Sequence, residues 1–121
     1  MKINTNDLSG YALDWAVSLI TNPDWSNEDR AFNTFDYVDT GDPEDVAYSP
    51  STNWSQGGEI VHHMGIALDP VRFNGCVVSW VAYRPTQEYG DYTGDTPLVA
   101  ACKSFVASKL GNEVDVPQEA L

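Results

Sequence analysis

The stretch Tyr48-Ser49-Pro50-Ser51-Thr52-Asn53-Trp54-Ser55-Gln56-Gly57-Gly58 divides the chain into two halves of different character. Two aromatics bracket a run of hydroxyls and amides that closes on a glycine pair. Such side chains bond readily to nearby backbone, so 48–58 reads as an ordered loop rather than a linker. The Gly57-Gly58 pair opens backbone angles closed to other residues, or admits close approach of another chain or a ligand. Before the stretch the sequence reads as a helix and an acidic loop. After it come strands and a closing helix.

Downstream, Ile60, Met64, Ile66 and Leu68 share one face at period two with His62 among them, which predicts a strand over 59–68 with Gly65 as a bulge. Asp69-Pro70 and Asn74-Gly75 bound a connection to a second strand over 76–84. Its apolar residues fall on both faces (Val78, Trp80 and Ala82; Val77, Val81 and Tyr83), as expected of a central strand, and the pair should be antiparallel. The segment from Thr86 to Asp95 reads as a loop. Thr96 supplies an N-cap hydroxyl and Pro97 a first helical residue, so a helix is expected over 97–110. Leu98, Val99, Cys102, Phe105, Val106 and Leu110 form its apolar stripe. Lys109 suits the last turn and Gly111 the stop. Glu113 to Val116 alternates like a short edge strand.

Upstream, Lys2 to Asn4 suits a short strand, and Thr5 or Asn6 offers an N-cap for a helix over about 6–21. Leu8, Tyr11, Ala12, Trp15, Ala16 and Leu19 follow helical spacing, with Asp14 and Ser18 on the other side, until Asn22-Pro23 ends the pattern. From Asp24 to Asp45 eight carboxylates stand against Arg30 alone. The interspersed aromatics place this acidic loop (24–47) on the domain rather than free of it. Asp36, Asp39, Asp42 and Asp45 recur every three residues, but neither the spacing nor Gly41 fits an EF-hand loop. A solvated acidic surface is the expectation.

With 121 residues and 42% hydrophobic content, one domain (1–121) burying roughly two-thirds of its unfolded surface is expected. No stretch approaches a membrane span, and the N-terminal residues lack a signal peptide's apolar segment, so a soluble cytoplasmic protein is expected. Six basic residues against eighteen acidic ones leave a formal charge of −12. That argues against direct nucleic-acid binding, which needs Lys and Arg on phosphates, and against an anionic membrane. Cys76 and Cys102 sit in no metal-binding spacing and read as free, buried thiols.

The only histidines are His62-His63, and neighbours on a strand point to opposite faces, so the pair forms no joint metal site there. A hydroxyl nucleophile from Ser49, Ser51 or Ser55 with His63 as base would need a meeting made by the fold. There is no nucleophile elbow, phosphate-cradling loop or nucleotide fingerprint, so neither cofactor nor metal is expected.

Three segments carry a resemblance: Leu8-Ser9-Gly10-Tyr11-Ala12-Leu13-Asp14-Trp15-Ala16-Val17, the 48–58 stretch, and Thr96-Pro97-Leu98-Val99-Ala100-Ala101 through Val106-Ala107-Ser108-Lys109-Leu110-Gly111. Together, in this order, they resemble the NinX-like family of small bacteriophage and prophage proteins of unknown function. The acidic insert between Asp24 and Asp45 is outside that pattern. The resemblance implies a phage accessory protein in the host cytoplasm and supplies no catalytic residues.

The expected fold is α+β, with two helices packed on one face of a small antiparallel sheet of two to four strands. The expected function is non-catalytic binding of a host or phage protein through Tyr48, Ser49, Ser51, Thr52, Asn53, Trp54, Gln56, Gly57 and Gly58. Their mix of rigid aromatics and adaptable polar groups is that of recognition surfaces. One alternative is an acidic decoy mimicking DNA to occupy a DNA-binding host protein. Another is a small hydrolase or ligand-binding enzyme using the 48–58 loop with His62 or His63.

Overall fold

The closing helix forms where its capping chemistry places it. In a computed structural model, which describes residues 1–38, 40–43, 46–83 and 91–121, helix α4 runs from Pro97 to Leu110. Thr96 Oγ1 accepts the Val99 N–H at 3.2 Å, Pro97 fills the first turn, and Gly111 (φ 87°) follows the last. Every residue from Ala100 to Ala107 is buried, Lys103 and Ser104 included. A helix covered all round cannot be the amphipathic surface helix that its stripe suggests. Lys103 reaches two backbone carbonyls, donating from Nζ to Asn6 at 2.7 Å and Thr93 at 2.8 Å. Burial lowers its pKa, and these two acceptors offset part of the desolvation.

Three layers result. On one side of α4 lies a three-stranded antiparallel sheet, β2 (Ala67–Phe73), β3 (Cys76–Tyr83) and β4 (Tyr92–Gly94), in the order β2-β3-β4. On its other side pack α1 (Gly10–Thr21) and α3 (Trp54–Met64). The fold is α+β as expected, but α1 and α3 pack on α4, and α4 is the helix that lies on the sheet. Gly94 allows the close approach of β4: a Cβ there would sit 2.7 Å from the Ala100 nitrogen. A separate two-stranded sheet joins β1 (Lys2–Asn4) to β5 (Glu113–Asp115), with Ile3 opposite Val114. Thr5 ties this end to α4, donating from Oγ1 to the Gly111 carbonyl at 2.7 Å.

Several expectations are corrected. The strand expected over 59–68 is the greater part of α3, and β2 starts only at Ala67. Ile60, Val61 and Met64 are the buried or half-buried residues, the i, i+1, i+4 pattern of a helix rather than period two. Gly65 is no bulge; with φ 63° it is the left-handed cap that ends α3. Antiparallel pairing with β3 does occur, and β3 is central. Pro70 falls inside β2, which as an edge strand can accept it. The hairpin turn is Asn74-Gly75 alone, with φ of 52° and 81°, the positive pair a two-residue turn requires.

The first helix begins at Gly10 rather than near residue 6, because Thr5–Asp7 makes a 3-10 turn capped by Asn4. Burial extends from Ala12 through Ser18, so Asp14 and Ser18 lie inside, whereas Tyr11 of the supposed stripe is 57% exposed. The acidic segment contains a helix, α2 (Asn27–Asn33), capped by Ser26 Oγ on the Asp29 N–H. Its one cation, Arg30, is buried over the Trp15 ring and donates to the Asn22 and Trp25 carbonyls at 3.0 Å each. The carboxylates at 24, 28, 29, 36 and 42 are exposed. Asp39, Glu44 and Asp45 lie outside the described residues, as do 84–90 of the expected second loop, whose Tyr92–Gly94 portion is β4. Among the described residues no group of three potential metal ligands occurs, and no helix is long and apolar enough to cross a membrane. Cys102 is buried and Cys76 exposed, both free.

Phe105, buried beneath α3, should cost about 3–5 kcal/mol on replacement by Ala. Lys109→Ala, at an exposed position of the same helix, should stay within about 0.5 kcal/mol of wild type. Urea unfolding of the two variants compares them directly; equal losses would place the packing of α4 elsewhere.

Candidate functional site

The 48–58 stretch is a clamp followed by a helix start, and Trp54 to Gly58 belong to α3 rather than to a loop. Asn53 is the N-cap: its Oδ1 accepts the N–H groups of Ser55 at 2.9 Å and Gln56 at 3.3 Å. Gln56 reaches back, accepting the Ser49 N–H on Oε1 at 2.6 Å and donating from Nε2 to the Ala47 carbonyl at 3.0 Å. The Ser49 carbonyl takes the N–H groups of Thr52 (3.0 Å) and Asn53 (2.8 Å). Tyr48 is anchored twice, its N–H on the Asn33 carbonyl at 2.8 Å and its hydroxyl sharing a hydrogen bond with Thr21 Oγ1 at 2.7 Å. Its ring meets Trp25 edge-on at 5.6 Å between centroids.

The centre of the clamp is a buried carboxylate. Asp14 Oδ1 accepts the Ser51 N–H at 2.9 Å, joining α1 to the motif across 37 residues. Desolvation pushes the Asp14 carboxyl up to about 6 despite that hydrogen bond. Ser51 Oγ is itself buried against the Asp14 carboxyl, whose pKa it helps hold down against that desolvation, and Pro50 is buried beside it. Gly57 fits only because it lacks a Cβ, which would collide with the Pro50 carbonyl oxygen and lie 2.8 Å from Leu98 Cδ2. Gly58 has no such constraint, with Trp54 Cε3 the nearest atom at 3.8 Å.

Ser49, Ser51, Asn53, Gln56 and Gly57 therefore hold the fold at this point, while Thr52 and Trp54 face solvent, Trp54 at 58%. Next to them lies a cleft of about 450 Å³. Thr21, Asn22 and Tyr48 form one wall, Ser55, Gln56, Glu59 and His63 of α3 the other, with Ile60, Met64 and Phe105 at the base. The motif brings Tyr48 and Gln56 to this cleft. Sequence reasoning missed Glu59 and Thr21, and named His63 only as a base for a loop serine, because a strand reading of 59–68 hides the i, i+4 row Ser55-Glu59-His63. Asn53 as an N-cap was the signal that would have exposed it. His62 and His63 are both exposed on α3, their rings 5.2 Å apart. Ser55 and His63 stand eight residues apart on a helix, about 12 Å along its axis. That is too far for a nucleophile and its base, and Ser51 is sealed from substrate.

A second concavity, of about 550 Å³, has Trp15, Leu19, Ala31 and Phe35 at its base and Glu28, Asp36, Asp115 and Glu119 around it. None of the 48–58 residues reaches it.

Residues 4–109 match the model of the protein family described as Bacteriophage P22, NinX. The chain belongs to the NinX family. No curated protein matches it. The span matched in this NinX-family chain runs from β1 into the last turn of α4, taking in the whole clamp and the cleft.

Two consequences can be measured. Gly57→Ala should lose about 1–3 kcal/mol by forced displacement of Pro50 or Leu98. Gly58→Ala should gain about 0.5–1 kcal/mol from helix propensity. Opposite signs at adjacent positions are the signature of the clamp in thermal unfolding, and matching signs would refute it.

For Asp14 the pH dependence has a definite direction. The folded protein keeps the proton between pH 3.8 and about 6, where the unfolded chain has released it. This contribution to stability is complete below that window and is lost as pH rises through about 6. The loss amounts to about 3 kcal/mol by neutral pH, at about 1.4 kcal/mol per pH unit. Asp14→Asn retains an acceptor for Ser51 without the charge, so its stability relative to wild type should climb across the same window. Urea midpoints at a series of pH values read this, and a constant offset would mean an ordinary carboxyl.

Proposed function

We propose that this NinX-family protein acts by binding, without catalysis, a segment of a host or phage protein in the cleft beside the 48–58 motif. The observation that carries this reading is the cleft itself, walled by Tyr48 and Gln56 of the motif and floored by Ile60, Met64 and Phe105. Its volume lies in the range of sites that take small ligands or single anchoring side chains. The base accepts an apolar anchor. The walls offer the Gln56 amide, the Ser55 hydroxyl and the Tyr48 ring, and Glu59 and His63 at the mouth favour a segment carrying a cation. Trp54, exposed at the first residue of α3, adds rigid contact area beside the cleft, as aromatic anchors do at interfaces. The hydrolase reading has less support, since Ser55 stands about 12 Å along α3 from His63 and Ser51 is buried. The decoy reading would instead use the exposed carboxylates of the 24–42 region.

A photo-crosslinking residue at position 55 tests the reading in phage-infected cells. One discrete protein adduct is expected there and none from the same residue at position 113. Glu59→Lys and Ile60→Asp should each weaken binding of the captured partner at least about tenfold, or about 1.4 kcal/mol. The exposed Glu59 variant should keep the wild-type melting temperature. Adducts from both positions, or binding that survives the cleft changes but falls on Glu28→Gln with Asp36→Asn, would overturn the cleft and favour the decoy.

A further inference from the structure

The concavity remote from the 48–58 motif has a chemistry of its own. It lies on α1 between α2 and the C-terminal 3-10 turn Gln118–Ala120, both of which pack on α1. Its floor is apolar, made by Trp15 and Leu19 of α1, Ala31 of α2, and Phe35. Four carboxylates stand around that floor: Glu28 and Asp36 from α2 and the residues after it, Asp115 and Glu119 from the C-terminal segment. Asp115 is already countered by the Met1 ammonium at 2.7 Å and by Lys2 opposite it in the β1–β5 pair. Glu28, Asp36 and Glu119 are exposed, and among the described residues no cation pairs with them.

We propose that this concavity binds an aliphatic polyamine, lying with its methylenes on the floor and its ammonium groups at the rim. The floor takes methylenes rather than a charge. Trp15 is only 5% exposed, stacks on Phe35 at 5.8 Å, and has the Arg30 guanidinium 5.6 Å from its ring centroid. The rings therefore form no open cage for a cation. A second charge at that depth would lose its water beside a fixed like charge. The rim is the reverse: it is exposed and carries carboxylates on both sides of the floor. An apolar body with a cation at each end matches that order. A lysine side chain brings one cation and reaches one side only. A bare divalent ion makes no use of the floor, and no group of three potential metal ligands occurs among the described residues. The volume of about 550 Å³ is in the range of small-ligand sites, and the net charge of −12 draws polycations from a distance. No residue of the 48–58 motif lines this concavity, so the site stands or falls separately from the cleft.

Titration calorimetry of the full chain with spermidine tests this at about 0.15 M salt, where diffuse attraction is screened. One molecule should bind per chain. Glu28→Gln with Asp36→Asn, and Glu119→Gln alone, should each weaken it at least about tenfold. Asp24→Asn with Asp91→Asn, which removes two exposed charges away from the concavity, should leave the affinity within about twofold of wild type. On the wild-type protein, 1,8-diaminooctane should bind at least about tenfold more tightly than magnesium, which has the same charge without methylenes, or n-octylamine, which has the chain with one ammonium. Absence of saturable binding would overturn the proposal. So would equal losses from the control pair, or magnesium or n-octylamine matching the diamine, since either result leaves bulk charge or greasiness as the whole attraction.

Discussion

The burial of α4 on every side is the constraint from which the other elements take their places. A helix in that position needs cover around its full circumference, and the cover comes from along the chain before it: α1 near the start, α3 in the middle, and the sheet that immediately precedes it. Close packing on so many sides requires small residues where backbones approach. Ala100, Ala101 and Ala107 supply them on the helix, Gly94 on β4 and Gly57 on α3. Two of the buried polar groups in this arrangement, Lys103 and Asp14, each find backbone partners rather than each other. Each joins segments distant in sequence, so each orients an element as well as meeting part of its own desolvation.

What could be read beforehand follows a simple physical division. Signals contained within a few residues were legible: Thr96-Pro97 and Gly111 bound α4, Asn74-Gly75 makes the hairpin turn, and alternation at Glu113 to Val116 marks β5. Signals that depend on what lies across the core were not. Asp14 and Ser18 look like the wet side of α1, and nothing local shows that Ser51 will present an N–H to Asp14 from 37 positions away. Lys103 likewise looks like solvent chemistry until β4 and the Asn6 carbonyl arrive around it. The α3 error has a different origin. Ile60, Met64, Ile66 and Leu68 straddle a helix and a strand, and joining them across Gly65 manufactured a false period of two.

The candidate site shows the same division. Polar residues in a motif suggest recognition, yet hydroxyls and amides also satisfy backbone groups wherever the chain turns inward. Here the second use dominates for Ser49, Asn53 and Gln56, whose contacts close the turn and start the helix. The same bonding raises the chance of a useful surface, because it fixes the first turn of α3 against α1 and so gives the cleft rigid walls. Gln56 serves both ends: its amide is committed to the clamp while its flank lines the cleft. The cleft is then lined mainly by residues that the motif positions rather than by the motif's own polar atoms.

Charge completes the argument, because it is distributed unevenly. The lone cation among the acids of the 24–45 segment is drawn under Trp25 and Asn22, so its neutralising effect is spent inside while the neighbouring carboxylates stay at the surface. That surface is therefore more negative than the sequence count of the segment implies. Repulsion across it opposes compaction, and the weight of holding the fold shifts to the apolar packing around α4 and to the clamp. Two carboxylate-free stretches with exposed side chains, 46–58 and 70–83, are places where another protein can approach without burying an acid. One of them borders the cleft and the other makes up most of the β2–β3 hairpin. In a protein this acidic, where the carboxylates are missing is as informative about contact as where they gather.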